Sequence, residues 1–201
     1  MKIFILLFVF LNLVAQDNYS LRVAYGEASS SDFGELLSGN MKSHAEELTV
    51  LAVDGGYLLK EGLYELPVDI YLKGGLSYFD DSSVDGRNNV YEGTFYIKAY
   101  WNFDFLDNRV RVGFGEGISY TSAIIYTEYK EALDENDNNS NWLNYLDFSV
   151  DFDLGRLVTY KPLYGTYIGW AIKHRSGIYG LINDVNNGGS NYNTFYLQKN
   201  F

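Results

Sequence analysis

The stretch NVYEGTFYIKAYWNFDF, residues 89–105, alternates between apolar and polar side chains along most of its length. One set of alternate positions is apolar: Tyr91, Phe95, Ile97, Ala99, Trp101, Phe103 and Phe105. The other set is mostly polar: Glu92, Thr94, Tyr96, Lys98, Asn102 and Asp104. Because successive side chains of a β-strand point to opposite sides, this pattern predicts a long strand with one apolar face and one polar face.

The same alternation recurs in ELPVDIYLKGGLSY (65–78) and WLNYLDFSVDFDLG (142–155). Three features favour a membrane barrel over a soluble sandwich. The predicted strands run to roughly 10–16 residues, against about five or six in soluble proteins. Their polar faces carry charges of both signs, as a filled lumen would. Aromatic residues such as Tyr91, Trp101 and Trp142 lie near the ends of the apolar faces, where aromatic girdles are expected.

About eight strands are predicted, an even number as bacterial barrels require. They lie near 18–28, 48–60, 65–78, 89–106, 109–121, 142–155, 164–176 and 190–201. Long connections alternate with short ones, as expected for external loops and periplasmic turns; the long ones are 29–47, 79–88, 122–141 and 177–189. The predicted fold is an all-β, eight-stranded antiparallel outer-membrane barrel whose lumen is filled by side chains.

Both ends of the chain support export to the bacterial outer membrane. Residues 1–15 contain Lys2, an apolar run too short to prefer a membrane-spanning helix, and a small residue, Ala15. This is the pattern of a secretory signal peptide, so residues 16–201 are predicted to form a single barrel domain. Phe201 ends the last predicted strand, and a terminal aromatic residue resembles the signal by which such barrels are recognised by the barrel assembly machinery.

Composition argues against several other functions. A net charge of −11 is unfavourable for nucleic-acid binding. The chain has no cysteine and only two well-separated histidines, His44 and His174, so no transition-metal site and no cofactor are expected. Eight strands leave room only for side chains, which disfavours a diffusion channel. The acidic segment 130–141 matches no ordered calcium-binding pattern and is expected to be a solvated external loop.

The segment GWAIKHRSGIYG (169–180) places two polar residues on the outer face of the seventh strand. Its odd positions, which include Lys173 and Arg175, suit the lumen, so His174 and Ser176 are predicted to face the outer leaflet. Unpaired polar side chains that face lipid are costly and call for a functional explanation. A histidine can activate a serine as a nucleophile, although an interfacial location alone would also accommodate both residues.

Residues 165–201 resemble the C-terminal part of the PagL-type lipid A 3-O-deacylases and the acyloxyacyl hydrolase-like barrels grouped with them. The resemblance rests on the H-x-S triplet at His174 and Ser176 and on the last two strands with their loop, AIKHRSGIYGLINDVNNGGSNYNTFYLQKNF. It implies a metal-free outer-membrane serine esterase that removes an ester-linked acyl chain from lipid A of lipopolysaccharide. Ser176 would be the nucleophile and His174 the base. In that family an acidic residue on the last strand orients the histidine.

Three further residues enter the predicted site. Parity with Phe201 places Asn191 on the lipid-facing side beside the dyad, where an asparagine can orient a histidine. Asp184, in the preceding loop, is the second candidate for that role. The backbone N–H of Gly177 could serve an oxyanion.

Glu116 falls on the apolar face of the fifth strand under strict alternation. The glycines around it would permit a bulge that returns it to the lumen, where it could pair with Arg109, Arg111, Lys173 or Arg175. The lumenal ion pair is the favoured interpretation, and a catalytic acid is the alternative.

The sequence therefore leaves two functions open. The first is a lipid A esterase that acts through Ser176 and His174. The second is a non-catalytic small outer-membrane barrel with a structural role or a binding role carried by its loops. The two differ in the expected contact between His174 and Ser176 and in the presence of an acid or amide behind the histidine.

Overall fold

The structure is a computed structural model that describes residues 18–186 and 189–201. The predicted signal peptide, 1–15, lies outside the described residues.

Eight antiparallel strands close into one barrel in sequence order, with the last strand paired to the first. They are β1 (Tyr19–Ser29), β2 (Thr49–Lys60), β3 (Val68–Asp80), β4 (Val90–Phe105), β5 (Asn108–Thr121), β6 (Trp142–Asp153), β7 (Thr166–Ser176) and β8 (Gly189–Asn200). Tyr19 and Phe201 exchange two backbone hydrogen bonds of 2.8 and 3.2 Å where β1 meets the chain end. The predicted eight-stranded barrel is confirmed.

The connections differ in length at the two ends of the barrel. At one end β4 turns into β5 through Leu106 and Asp107 alone, both with positive φ, which matches the twist of a tight hairpin. At the other end, here called the long-loop end, two connections contain helices: α1 (Phe33–Leu37) and α2 (Tyr126–Asp134). A further short helix, α3 (Leu154–Leu157), and two 3₁₀ turns lie at the short-turn end. The segment expected to be a solvated loop, 130–141, is thus partly helical.

Apolar side chains cover the outer wall, and charged side chains fill the lumen. The residues expected in the girdles, Tyr91, Trp101, Phe103 and Trp142, are all substantially exposed. Among the described residues, the charged side chains buried on the lumenal side of the strands are Arg22, Asp54, Lys73, Glu92, Lys98, Arg111, Asp147, Asp151, Asp153, Lys173 and Arg175. None of the described helices is long and apolar enough to span a membrane.

The lumenal charges compensate one another through direct contacts. Arg22 contacts both Asp54, at 2.6 Å, and Asp147, and Lys98 also contacts Asp147. Nearer the long-loop end, Lys173 lies 2.5 Å from Glu92, and Arg175 donates to Glu128 of α2 at 2.7 Å. Charges removed from water are tolerated only when they are paired in this way.

The lumenal position expected for Glu116 is wrong. The pairing of β5 with β4 and with β6 continues through Glu116 without a register shift, so no bulge redirects it. Strict alternation therefore holds, and Glu116 is exposed on the outer wall between Phe114 and Ile118. The positions on either side of Glu116, which face the lumen, are occupied by Gly115 and Gly117.

Candidate functional site

His174 and Ser176 lie on the outer wall near the long-loop end of β7, and Ser176 is the last residue of that strand. Both are half-buried, whereas the intervening Arg175 and the preceding Lys173 are buried in the lumen. The alternation of β7 thus places the two polar side chains on the side that faces the membrane.

Register determines which side chains surround the pair. His174 lies opposite Asn191 of β8 and Leu146 of β6. Ser176 lies opposite Gly189 of β8 and Asn144 of β6. Side chains directly opposite each other in an antiparallel ladder have Cβ atoms about 4.5–5.5 Å apart, so these residues form one local group.

Asn191 is hydrogen-bonded to the histidine. Its Oδ1 lies 2.7 Å from Nδ1 of His174, and its Nδ2 donates to the carbonyl oxygen of Ser31 at 3.1 Å. A carbonyl oxygen can only accept, so the contact with Ser31 turns the NH₂ end of the amide away from the histidine. Nδ1 of His174 then carries the proton, and Nε2 keeps the lone pair that a general base needs.

The first long connection folds over this part of the outer wall. The ring of Phe33, the first residue of α1, stacks on the imidazole of His174 with centroids 4.7 Å apart. Ile172, which shares the outer face of β7 with His174, is fully buried. The Asn191 amide and the Phe33 ring therefore hold the imidazole from two directions.

Ser176 is not bonded to the histidine. Among the residues that the structure describes, no hydrogen bond joins His174 to Ser176. Residues i and i+2 of a strand are about 7 Å apart at the backbone, so closure of a base–nucleophile contact requires side-chain rotation or a local bend. Apo sites often show loose catalytic contacts that tighten when the substrate is bound.

Two other predicted residues have different surroundings. Gly177 is buried beneath Val185, and a Cβ at this position would lie 2.1 Å from the Val185 carbonyl oxygen. Its own carbonyl accepts the N–H of Ile182 at 2.9 Å. Asp184 is exposed, and its carbonyl accepts from the amides of Asn138 and Asn186. The structure thus brings Asn191, and not Asp184, to His174.

A cleft of about 220 Å³ adjoins the site at the long-loop end. It is lined by residues 29–32, by side chains of α2 and its C-cap between Thr127 and Glu135, and by residues 189–191, together with His44. Glu131 of α2 accepts the backbone N–H of Gly189 at 2.9 Å, beside the ladder position of Ser176. Burial raises the pKa of Glu131 to about 7, and the nearby carboxylates of Asp32 and Glu128 add to the shift.

Glu128 lies deeper, between α2 and the lumen. Its Oε1 accepts from Arg175 at 2.7 Å and from Ser190 at 2.8 Å. Burial raises the pKa of this carboxyl, although the Arg175 guanidinium opposes the shift. His44 lies 2.8 Å from Glu46. Within 18–186 and 189–201, no three side chains of the metal-binding types converge.

Sequence reasoning missed Ser31, Phe33 and Asn144. Ser31 and Phe33 belong to a connection whose path over the outer wall is a tertiary feature without a periodic signal. Asn144 had a signal, because it shares parity with Trp142 and Leu146 on the outer face of β6. A single polar residue on the otherwise apolar face of this strand is the signal that could have identified Asn144.

No protein-family model and no curated protein sequence matches the chain. Similar solved structures include the outer membrane enzyme PagL, with a TM-score of 0.59 and 10% identity, over 90% of this chain and 99% of PagL. They also include Neisserial surface protein A, with a TM-score of 0.50 and 10% identity, over 92% of this chain and 98% of that one.

At this level of identity the comparisons show the fold and leave the chemistry open. The resemblance to PagL-type barrels is confirmed at the level of architecture. The apolar outer wall, the filled lumen and the shared fold bear out the expected location: the chain is an eight-stranded barrel of the bacterial outer membrane.

Proposed function

We propose that this barrel is an outer-membrane serine esterase that removes an ester-linked acyl chain from lipid A of lipopolysaccharide. The observation that carries the proposal is the oriented imidazole on the membrane-facing wall. Asn191 fixes Nδ1 of His174 as the protonated nitrogen, so Nε2 keeps its lone pair, and Ser176 lies two residues further along the same face of β7. An imidazole held in one tautomer next to a serine is the requirement for nucleophilic acyl transfer.

Each residue has a defined role in the reaction. Ser176 Oγ attacks the ester carbonyl carbon while its proton passes to Nε2 of His174. The tetrahedral intermediate then collapses, the bond to the sugar oxygen breaks, and the imidazolium returns the proton to that oxygen. A water molecule attacks the acyl-enzyme by the same route and releases the fatty acid. Asn191 keeps the imidazole oriented throughout, although an amide stabilises the imidazolium less than a carboxylate would.

The position of the site supports a substrate that arrives within the membrane. His174 and Ser176 lie near the long-loop end, which is the extracellular end of outer-membrane barrels. A lipid in the outer leaflet can reach them by lateral diffusion, without passage through the lumen. Lipid A is the substrate that the H-x-S resemblance implies. The terminal strand with Phe201 is the segment through which the barrel assembly machinery would recognise the chain.

Mass spectrometry of lipid A from cells that express the protein tests the proposal. The unmodified protein is expected to remove one acyl chain, and Ser176→Ala is expected to leave lipid A intact. Ser83→Ala, in the exposed connection between β3 and β4, is the control serine and should behave as the unmodified protein. Unchanged lipid A with a folded, membrane-inserted unmodified barrel would contradict the proposal.

A non-catalytic barrel with a structural or loop-mediated binding role is the second candidate. The absence of a hydrogen bond between His174 and Ser176 in the described part of the chain favours it. So does the cleft between the long connections, which is large enough to hold a small ligand group. Lipid A that stays intact in every strain of the experiment above would select this candidate.

A further inference from the structure

We propose that the side-chain amide of Asn144 is a catalytic group that donates a hydrogen bond to the carbonyl oxygen of the ester that Ser176 attacks. The inference rests on the proposed function and adds a residue from β6 to a site otherwise built from β7, β8 and the first long connection.

The register of the barrel places the amide beside the nucleophile. Asn144 lies directly opposite Ser176 in the β6–β7 ladder. It belongs to the outer face of β6, together with Trp142 and Leu146, so its side chain leaves the barrel on the same side as Ser176. Cβ atoms of such a pair are about 4.5–5.5 Å apart. The carbonyl oxygen of a substrate ester at Ser176 would therefore lie within reach of the Asn144 amide N–H.

The burial of Asn144 is unusual for its position. The other outer-face residues of β6 are half-buried or exposed, whereas Asn144 is only 6% exposed. Within 18–186 and 189–201, its side chain makes no hydrogen bond. Neither amide atom of Asn144 is completely enclosed, so its unpartnered N–H groups remain reachable from outside the barrel. A ligand oxygen that completes the hydrogen bonding explains why a polar residue occupies the site.

The neighbours of Asn144 leave one direction for such an oxygen. On the β5 side it lies opposite Ile118, and along β6 it is followed on the same face by Leu146. These side chains offer no acceptor. The polar side is that of β7, where Ser176 and His174 lie. Among the ladder neighbours of Asn144, Ser176 is thus the one with polar chemistry beside it.

The reaction needs a hydrogen-bond donor for the oxyanion, and the other residues of the site provide none that is well placed. When Ser176 Oγ bonds to the acyl carbon, the carbonyl π electrons move onto oxygen and form an oxyanion. That negative charge is stabilised by donors placed about 2.7–3.1 Å from the oxygen in a site with little water. The predicted donor, Gly177, is packed beneath Val185. Asn144 supplies an N–H from the opposite strand, and the oxyanion reverts to a carbonyl when the alcohol leaves.

The test compares Asn144→Leu with the unmodified protein in detergent micelles that contain purified lipid A. Removal of one oxyanion donor is expected to lower kcat by roughly 10²–10³-fold with little change in KM. The rate at which a fluorophosphonate labels Ser176 should fall in parallel, because the phosphonyl oxygen occupies the same place as the oxyanion. Asn193→Leu is the matched control: Asn193 is also an outer-face asparagine, but on β8 opposite Ile172, and its loss should leave kcat unchanged.

A second variant keeps the proposal testable if Asn144→Leu does not fold. Asn144→Asp preserves the shape and places a carboxylate where the oxyanion forms, so it should lower kcat at least as much. Folded Asn144 variants that retain kcat within about threefold of the unmodified protein, while Ser176→Ala is inactive, would overturn the role of Asn144 and leave the esterase intact. An inactive unmodified protein would overturn both.

Discussion

The two ends of the Asn191 amide have different neighbours, and this difference determines the tautomer of His174. In a serine protease whose aspartate is replaced by asparagine, the wrong imidazole tautomer forms and the rate falls by about 10⁴-fold. Here the Ser31 carbonyl accepts from Nδ2, so Oδ1 is the end that faces the histidine. The Ser31 carbonyl thus allows an asparagine to orient the histidine at a position where the PagL-type deacylases have an acidic residue.

Asn191→Leu is expected to lower kcat by about 10²–10⁴-fold, because the imidazole loses the partner that fixes its proton on Nδ1. Deacylation of lipid A by the purified variant measures the effect. Asn191→Asp keeps an acceptor for Nδ1 but loses the donor to Ser31, so its kcat should lie above that of Asn191→Leu. Equal activity of Asn191→Leu and the unmodified protein would show that the amide does not orient the base.

At the scale of elements, the strands could be predicted from the sequence and the loops could not. Alternation is a local property, so every predicted strand agrees with the structure within about three residues, and the facing of His174, Ser176 and Asn191 follows from parity. Glu116 follows the same rule. Alternation alone predicts its outward position, and only the additional assumption of a bulge placed it in the lumen. The five-residue helix α1 has too few residues for a periodic signal, and it is held by tertiary contacts such as Phe33 on His174.

The packing of α2 against the start of β8 should depend on pH through Glu131. The folded protein raises the pKa of this carboxyl to about 7 from an ordinary value near 4.3, so the folded state binds the proton more tightly than the unfolded state. The contact is therefore expected to weaken as pH rises from about 4.3 to about 7 and to change little above that. The protection factor of the Gly189 amide against hydrogen exchange, corrected for intrinsic rates, measures the effect.

Glu131→Gln should remove the pH dependence of the Gly189 protection factor, because the amide has no proton to lose in this range. Glu47→Gln, an exposed glutamate in the first long connection, is the control and should retain it. A protection factor in the unmodified protein that stays constant between pH 4 and pH 8 would contradict the expected coupling.

At the scale of the whole molecule, the lumen rather than the outer wall carries the polar interactions of the barrel. A soluble protein of this size would place most charges in water, whereas here acidic and basic side chains neutralise one another inside the barrel. Some pairs join neighbouring strands, as Arg22 and Asp54 do, and others cross the lumen, as Lys173 and Glu92 do. Asp147 is central, since it contacts Arg22 and Lys98 and accepts from Tyr145 at 3.1 Å. One carboxylate thus connects side chains from β1, β4 and β6, none of which are neighbours in the sheet.

Asp147→Asn should therefore destabilise the barrel strongly, because Arg22 and Lys98 would share an interior with one negative charge fewer. Removal of one partner from a buried ion pair costs about 3–5 kcal/mol. Urea unfolding of the barrel in lipid vesicles, monitored by tryptophan fluorescence, measures the free energy of unfolding of each variant. Asp104→Asn is the matched control, since Asp104 pairs with Arg109 and Arg156 at the solvent-exposed short-turn end, where a pair contributes about 0–1 kcal/mol. Similar losses in the two variants would mean that water screens the lumenal charges as it does those at the rim, and that the barrel interior is hydrated rather than filled.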